Sequence, residues 1–194
     1  MLRHQGIALP ALLLVVTLIL ALAGCASLSA PAPATARPTG ATGDYEFTGR
    51  ISVRHGDARY IANLSWQHDA SHDAILLATP MGQGLAEILR DASGAQLIAA
   101  DGRRLAAADW DGLAAQAFGV ELPLASIGRW LVADAPAGAQ RDAAGRPLAF
   151  RQDGWSVAYE GYASEDPGAR PRLIEIRRED IELRLKIDAW QEAR

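Results

Sequence analysis

The segment Ile181-Glu-Leu-Arg-Leu-Lys-Ile-Asp188 alternates apolar and charged residues at every position. Successive side chains of a β-strand point to opposite faces of its sheet, so this period of two predicts a strand with one buried and one solvated face. Antiparallel sheets tolerate a solvated face, whereas parallel sheets are usually covered on both sides. The segment therefore predicts an antiparallel sheet in which Leu183 and Leu185 face the interior.

The same periodicity recurs upstream in short segments that turn residues separate from one another. Leu64 and Trp66 share one face of such a segment. The dipeptides Ser93-Gly94 and Asp101-Gly102 are typical of hairpin turns. Further strands are predicted over residues 74–79, 85–91, 95–100, 148–152, 155–162 and 172–178.

Residues 109–131 have a helical pattern instead and predict two short helices. Asp109 suits an N-cap and Gly119 a C-cap, because these residue types satisfy or terminate the ends of helices. Pro123 suits the start of a second helix, whose apolar stripe consists of Leu124, Ile127, Trp130 and Leu131. The expected fold is mainly β: one curved antiparallel sheet with two helices inserted between its two runs of strands.

The N-terminal segment has the composition of an export signal. Arg3 and His4 precede an apolar run over residues 11–23, which has the length of a signal-peptide core and is short for a membrane span. The run ends in Leu22-Ala-Gly-Cys25, which resembles the lipobox of bacterial lipoprotein precursors. The alternative is an ordinary signal peptide that ends beside a chance cysteine.

The lipobox resemblance implies that residues 1–24 are removed and that Cys25 carries lipid. Ala26 follows the cysteine, whereas an aspartate there would resemble an inner-membrane retention signal, so we expect the outer membrane. Residues 25–43 are rich in Pro, Ala, Thr and Gly and predict a flexible tether. Residues 44–194 form the predicted folded domain.

Composition argues against several classes of function. The net charge of −4 is a poor match for nucleic acid, which favours a concentrated basic surface. The single cysteine excludes an intramolecular disulfide. His68 and His72 have helical metal-ligand spacing but lie in a predicted loop without a neighbouring zinc-peptidase glutamate. The Gly-x-Ser-x-Gly motif of serine hydrolases is also absent. We therefore expect no enzymatic activity, and we expect no bound metal or cofactor.

Several short motifs, in this order and spacing, resemble the LolB family of outer-membrane lipoprotein localisation receptors. No single motif is specific, but together they extend through nearly the whole predicted domain. They are Phe47-Thr-Gly-Arg-Ile-Ser-Val53, Leu64-Ser-Trp66, Leu76-Leu-Ala-Thr-Pro-Met-Gly82, Leu122-Pro-Leu124, Trp130-Leu131, Gly154-Trp-Ser-Val-Ala-Tyr159, Tyr162 and Ile187-Asp-Ala-Trp190.

The resemblance implies a half-open β-barrel whose two or three short helices form a lid over an apolar cavity. In the family, a protruding apolar residue, usually leucine, is thought to touch the membrane during delivery. Here Met81 takes that position, between Pro80 and Gly82 in a turn. The expected acyl-chain lining consists of Ile51, Leu64, Trp66, Leu77, Leu89, Trp130, Leu183 and Leu185.

The resemblance also implies partners and a location. The expected partners are a LolA-like periplasmic lipoprotein carrier, acylated client lipoproteins and the inner leaflet of the outer membrane. We expect a monomer that is anchored by its lipid, faces the periplasm and works without ATP. The alternative is a structural or assembly lipoprotein that binds protein partners, in which the same side chains fill a packed core and Met81 folds back onto the sheet.

Overall fold

The computed structural model describes residues 43–191. The predicted signal peptide, the lipidation of Cys25 and the tether as far as Thr42 lie outside the described residues. Between residues 43 and 191, no helix is both long and apolar enough to cross a membrane.

One antiparallel sheet of eleven strands makes up most of the described chain. Six strands precede the helices, namely β1 (Tyr45–His55), β2 (Ala58–His68), β3 (Asp73–Ala78), β4 (Gly84–Asp91), β5 (Gly94–Ala99) and β6 (Arg104–Ala107). Five strands follow them, namely β7 (Gln140–Arg141), β8 (Pro147–Gln152), β9 (Trp155–Tyr162), β10 (Pro171–Arg178) and β11 (Ile181–Gln191).

The two runs of strands join at the middle of the sheet, where β1 pairs with β11. From there β2 to β6 follow in order on one side, and β10 to β7 follow on the other. The outermost strands, β6 and β7, do not pair with each other, so the sheet is not closed into a barrel. This architecture confirms the predicted half-open antiparallel fold.

Two helices connect the outermost strands: α1 (Trp110–Phe118) and α2 (Leu124–Leu131). The Asp109 carboxylate accepts a hydrogen bond of 2.8 Å from the Gly112 backbone N–H, which satisfies a donor in the first turn of α1. Gly119 ends the helix in the left-handed conformation, with φ of 69°. Both predicted caps are therefore confirmed.

Pair register assigns each strand residue to one face of the sheet. Ile51 lies opposite Leu185, and Val53 lies opposite Leu183; these four side chains share the face on which the helices pack, which we call the inner face. The other face, the outer face, carries cross-strand ion pairs such as Arg54–Glu182 at 2.7 Å. The alternating segment that begins at Ile181 therefore has one buried and one charged face, as predicted.

The edge strands β6 and β7 are not among the predicted strands. β7 contains only Gln140 and Arg141, both exposed, so no apolar periodicity marks it. β6 has the sequence Arg-Leu-Ala-Ala, and its two small alanines do not produce a clear alternation of apolar and polar residues. Both are edge strands, and short edge strands are a common way to limit unwanted strand pairing.

Candidate functional site

The two helices cover the inner face of the sheet with large apolar side chains. Trp130 and Leu131 of α2 have no exposed surface, and Ile127 retains only 2%. From α1, Trp110 and Leu113 are also buried in the same apolar cluster as the sheet residues. Any ligand that binds the covered part of the inner face must displace these helices.

Helix α2 is held against the second run of strands by Trp130. Its indole N–H donates to the Gln152 side-chain oxygen at 3.3 Å, and its backbone carbonyl accepts a hydrogen bond of 2.8 Å from the Tyr159 hydroxyl. The Trp130 ring also meets Phe150 edge to face, with centroids 5.8 Å apart. Burial raises the pKa of Tyr159, so this hydroxyl keeps its proton and remains a donor.

Helix α2 also touches the first run of strands, at a glycine. The Tyr45 hydroxyl lies 3.5 Å from the Gly128 carbonyl oxygen, and a Cβ atom at Gly128 would lie 3.1 Å from that hydroxyl. The same Cβ would lie 3.8 Å from the Trp66 ring, which in turn contacts Trp110 of α1 at a centroid distance of 6.3 Å. Gly128 therefore lets α2 approach the sheet closely.

A buried carboxylate supports the sheet beneath this contact. Asp73 is 3% exposed and accepts hydrogen bonds from the Trp66 indole at 2.8 Å and from the Arg90 guanidinium. His68 Nδ1 lies 2.7 Å from the same carboxylate, and its ring stacks on Tyr45. Burial alone raises the pKa of Asp73, but the hydrogen bonds from His68, Trp66 and Arg90 together hold it below its ordinary value.

His68 and His72 are not brought together as a pair of ligands. His68 contacts Asp73, whereas His72 lies 2.7 Å from the hydroxyl of its neighbour Ser71 in the loop between β2 and β3. Within residues 43–191, no group of three or more His, Cys, Asp or Glu side chains has the arrangement of a metal site.

The inner face is less covered at one end of the first six strands. This is the end that carries the turn between β3 and β4, and we call it the Met81 end. Towards the opposite end, inner-face residues such as Phe47, Trp66 and Ile75 are at most 5% exposed. Towards the Met81 end, Ala62 and Leu64 of β2 are still buried, but five other inner-face apolar residues of these strands are only partly buried, and we call them the apolar shelf: Ile51, Val53, Leu77, Ala86 and Ala99.

Most of the predicted lining residues meet in one apolar cluster. Leu64, Trp66, Trp130, Leu183 and Leu185 are buried in it, and none of these five is more than 5% exposed. Ile51 and Leu77 lie on the apolar shelf, packed against the same cluster.

The prediction for Leu89 is wrong. Leu89 pairs with Ala74 and Gln96, and it lies on the outer face; the neighbouring Ile88, which pairs with Ile75 and Leu97, takes the inner position. The segment contains both apolar residues in succession, and a strand must point them to opposite faces. The pattern alone left open which one faces inward.

The turn between β3 and β4 presents Met81 to solvent. Met81 is 89% exposed, and Pro80 and Gly82 are exposed beside it. The Gly82 N–H donates to the Thr79 carbonyl at 2.8 Å, and Gly82 adopts a φ of 87°, which favours glycine. The Thr79 carbonyl also accepts from the Asn63 side chain, which ties the turn to β2. Hydrogen bonds therefore fix the backbone of the turn, although the apolar Met81 side chain at its tip is not buried.

A concave feature lies on the outer face, across β8 to β10. It is a groove of about 380 Å³ whose lining includes Arg151, Ser156, Glu175 and Arg177. Glu175 and Arg177 form an ion pair of 2.9 Å there. An acyl chain in this groove would desolvate the charged side chains of its lining without offering them new partners, which disfavours such a ligand.

Solved structures share this architecture. A LolA superfamily protein from Nitrosomonas europaea superposes with a TM-score of 0.53 and 10% identity, over 79% of this chain and 88% of that chain. A putative outer membrane lipoprotein-sorting protein domain from Vibrio parahaemolyticus gives a TM-score of 0.50 and 11% identity, over 79% and 87%. At these identities the likeness concerns the fold alone.

Sequence comparison gives the family. The family described as outer membrane lipoprotein LolB matches residues 43–190, which span nearly all of the described fold. The outer-membrane lipoprotein LolB of Nitrosomonas europaea is 37% identical over 153 residues, which are 76% of this chain and 72% of that protein. That of Thiobacillus denitrificans is 36% identical over 188 residues, which are 94% and 98%. The chain therefore belongs to the LolB family of outer-membrane lipoproteins.

Proposed function

We propose that this protein is a receptor that accepts acylated lipoproteins from a soluble periplasmic carrier and releases them into the outer membrane. The apolar shelf carries this proposal. It continues the buried core outward from beneath the helices to the end of the sheet where Met81 is exposed. An apolar surface that leads from a covered interior to an exposed apolar tip suits a ligand that is itself a hydrocarbon chain.

The ligand needs such a surface because acyl chains do not remain free in water. Burial of each methylene is favourable by roughly 0.8 kcal/mol, so three chains in water cost tens of kcal/mol. An antiparallel sheet can supply a continuous apolar lining, since alternate side chains of every strand face the same side. Here that lining joins both runs of strands through the pairing of Ile51 with Leu185 and of Val53 with Leu183.

Binding on this face requires the helices to move, because Trp130 and Leu131 occupy it. Within residues 43–191, few polar contacts hold α2 to the sheet: two hydrogen bonds of Trp130 and the contact between Tyr45 and Gly128. We propose that α1 and α2 act as a lid that client chains displace. The alternative, a structural lipoprotein, also accounts for closely packed helices, but it gives no reason for the apolar shelf or for Met81.

Release without ATP requires only that each successive site binds the chains more favourably than the one before. The order is carrier, receptor and bilayer. Met81 would insert into the membrane at the end of the apolar shelf, so that chains leave the sheet next to the hydrocarbon phase. The lipid predicted on Cys25 and the tether that follows it would confine the receptor to the outer membrane, facing the periplasm.

A two-step transfer assay tests the proposal. A carrier loaded with a fluorescent lipoprotein is mixed with the chain from Ala26 onward, which contains every described strand and helix, and then with liposomes. Label is expected to move to the receptor and then to the liposomes. Met81→Glu should retain the first step and lose the second. Leu148→Glu, an exposed leucine of β8, is the matched control and should retain both steps.

The two steps separate the possible failures. A receptor that takes no label from the carrier contradicts the receptor function and favours the structural alternative. A receptor that takes label but delivers it equally well with Met81→Glu retains the first half of the proposal and contradicts the role of the turn.

A further inference from the structure

The exposed apolar surface at the Met81 end extends beyond Met81 itself. Between residues 43 and 191, seven large apolar side chains are exposed, and four of them lie at this end: Tyr60 (66%), Ile61 (51%), Met81 (89%) and Leu85 (42%). A single exposed apolar residue needs no explanation, but a group of four at one end of a sheet indicates an interaction surface.

Strand register brings these residues to the same level. Asn63 of β2 lies opposite Ala78, the last residue of β3, so the part of β2 that precedes Asn63 continues past β3 alongside the turn. Ile61 and Tyr60 lie two and three residues beyond Asn63, or roughly 7 and 10 Å along the strand. The chain reverses one residue beyond Ala78, where the Thr79 N–H donates to the Gln83 carbonyl, and Met81 lies at the tip beyond that pair. Tyr60 and Ile61 therefore flank the turn near the level of Met81, with their side chains on opposite faces of β2.

Leu85 lies on the other side of the turn. It is the extra residue of a β-bulge, because Leu77 pairs with Ala86 while Ala78 pairs with Gly84. Its carbonyl oxygen accepts a hydrogen bond from the Ala100 N–H at 2.9 Å, which fixes the backbone there. The bulge leaves the Leu85 side chain exposed on a supported backbone, so its exposure does not come from a loose loop.

Two exposed arginines at this end are available to anionic headgroups, beside the exposed Asp57 of the hairpin between β1 and β2. Arg59 and Arg104 are exposed and form no ion pair with any residue between 43 and 191, whereas Arg103 is paired with Asp101. Arg59 is adjacent to Tyr60, whose ring and hydroxyl suit the boundary between hydrocarbon and headgroups. Apolar side chains rimmed by tyrosine and arginine are typical of proteins that lie against phospholipid.

We infer that Tyr60, Ile61 and Leu85 form one membrane-binding face together with Met81, and that Arg59 contacts the phosphate of anionic phospholipids beside it. This inference rests on the proposed function and deepens it, because it makes the whole Met81 end, and not the turn alone, the surface that meets the bilayer. Tyr60 lies on the inner face of β2 in line with Leu64 and Trp66, so the membrane face also borders the apolar shelf.

Vesicle binding without carrier or client tests this inference separately from transfer. The chain from Ala26 onward is titrated with vesicles of phosphatidylethanolamine and phosphatidylglycerol, or of phosphatidylcholine alone. The double variant Ile61→Ser with Leu85→Ser should reduce the partition coefficient between water and vesicles about tenfold or more. The reason is that each substitution removes apolar surface that would be buried in the bilayer. The matched control is Leu76→Ser with Leu148→Ser, whose side chains are 51% and 41% exposed elsewhere; it should bind as the unchanged protein does.

Two further measurements keep the result independent of folding defects. Arg59→Gln should weaken binding about threefold on the anionic vesicles and leave binding to phosphatidylcholine unchanged. A fluorophore on Tyr60→Cys should shift its emission to the blue when vesicles are added, and the same fluorophore on Leu148→Cys should not.

Two results would contradict the inference. If the Ile61 and Leu85 double variant binds normally while Met81→Glu loses binding, the turn alone meets the membrane; the inference is then wrong and the proposed function stands. If the unchanged protein does not bind vesicles, the inference is wrong whatever the transfer assay gives.

Discussion

The Tyr159 hydroxyl donates a hydrogen bond of 2.8 Å to the backbone carbonyl oxygen of Trp130, and so joins strand β9 to the end of helix α2. The Trp130 carbonyl also accepts from the Ala133 N–H at 3.0 Å, so the bond from Tyr159 is added where the helix ends. Both groups are buried, and neither has water as a ready alternative partner. The bond therefore favours the closed position of the lid.

Tyr159→Phe should loosen the lid without changing its packing. Loss of one neutral hydrogen bond costs about 1 kcal/mol, which corresponds to about 2–4 °C in melting temperature for a domain of this size. Amide hydrogen exchange over residues 124–131 should become about fivefold faster, with little change in β1 and β11. Tyr60→Phe, which alters an exposed tyrosine, should change neither quantity, and equal exchange in both variants would contradict the role of Tyr159.

Gly128→Leu should displace α2 from the first run of strands. The new Cβ would lie 3.1 Å from the Tyr45 hydroxyl, and the rest of the side chain would have to enter the space of Tyr45 and Trp66. Overpacking of this kind costs about 1–3 kcal/mol. Because the closed lid is destabilised, uptake of a fluorescent fatty acid should increase even as the melting temperature falls.

The control for this variant is Ala125→Leu, at an exposed position on the same helix. It should leave both the melting temperature and fatty-acid uptake close to those of the unchanged protein. If Gly128→Leu lowers the melting temperature but reduces uptake, the helices are part of a core that must stay closed, and the lid proposal is wrong.

Asp73 should contribute to stability in a pH-dependent way. Its pKa is lowered in the folded protein, so its contribution is present above the unfolded pKa of about 3.9 and is lost as pH falls through the lower folded value. Asp73→Asn should destabilise the protein by about 3 kcal/mol at pH 7, because Arg90 loses its buried partner. Below pH 4 the difference in stability between the two proteins should begin to shrink, and it should continue to shrink down to the folded pKa.

Urea denaturation at pH 7, 5 and 3 measures this difference. Glu87→Gln, which removes an exposed carboxylate of β4, is the control and should show little change at any of the three. A constant difference between Asp73→Asn and the unchanged protein at every pH would mean that the lost contact is not the ionised carboxylate.

Much of the fold could be predicted because its strands alternate clearly. The segment from Ile181 and the caps Asp109 and Gly119 each carry their structural signal within a few residues. The face on which Leu89 lies could not be predicted in this way. A shift of one residue moves every side chain of a strand to the other face, and two adjacent apolar residues leave that choice to the register with β3.

The buried Asp73 could not be predicted for a different reason. Its neighbours in sequence form a polar loop, which is typical of solvent exposure, and its partners Trp66 and Arg90 come from two other strands. Tyr60 and Leu85 are similar cases, because their exposure depends on where β3 ends and where β4 has its bulge. Such features result from tertiary register and have no local signal.

The most direct test of the account asks which face of the sheet holds the acyl chains. A photoreactive amino acid is introduced at Leu77, on the apolar shelf, or at Leu89, on the outer face of the adjacent strand. Each protein is loaded from a carrier with an acylated lipoprotein and then illuminated. If the chains bind on the inner face, an adduct with them is expected from position 77 and none from position 89. Adducts from position 89 alone, or from both positions equally, would contradict binding on the inner face.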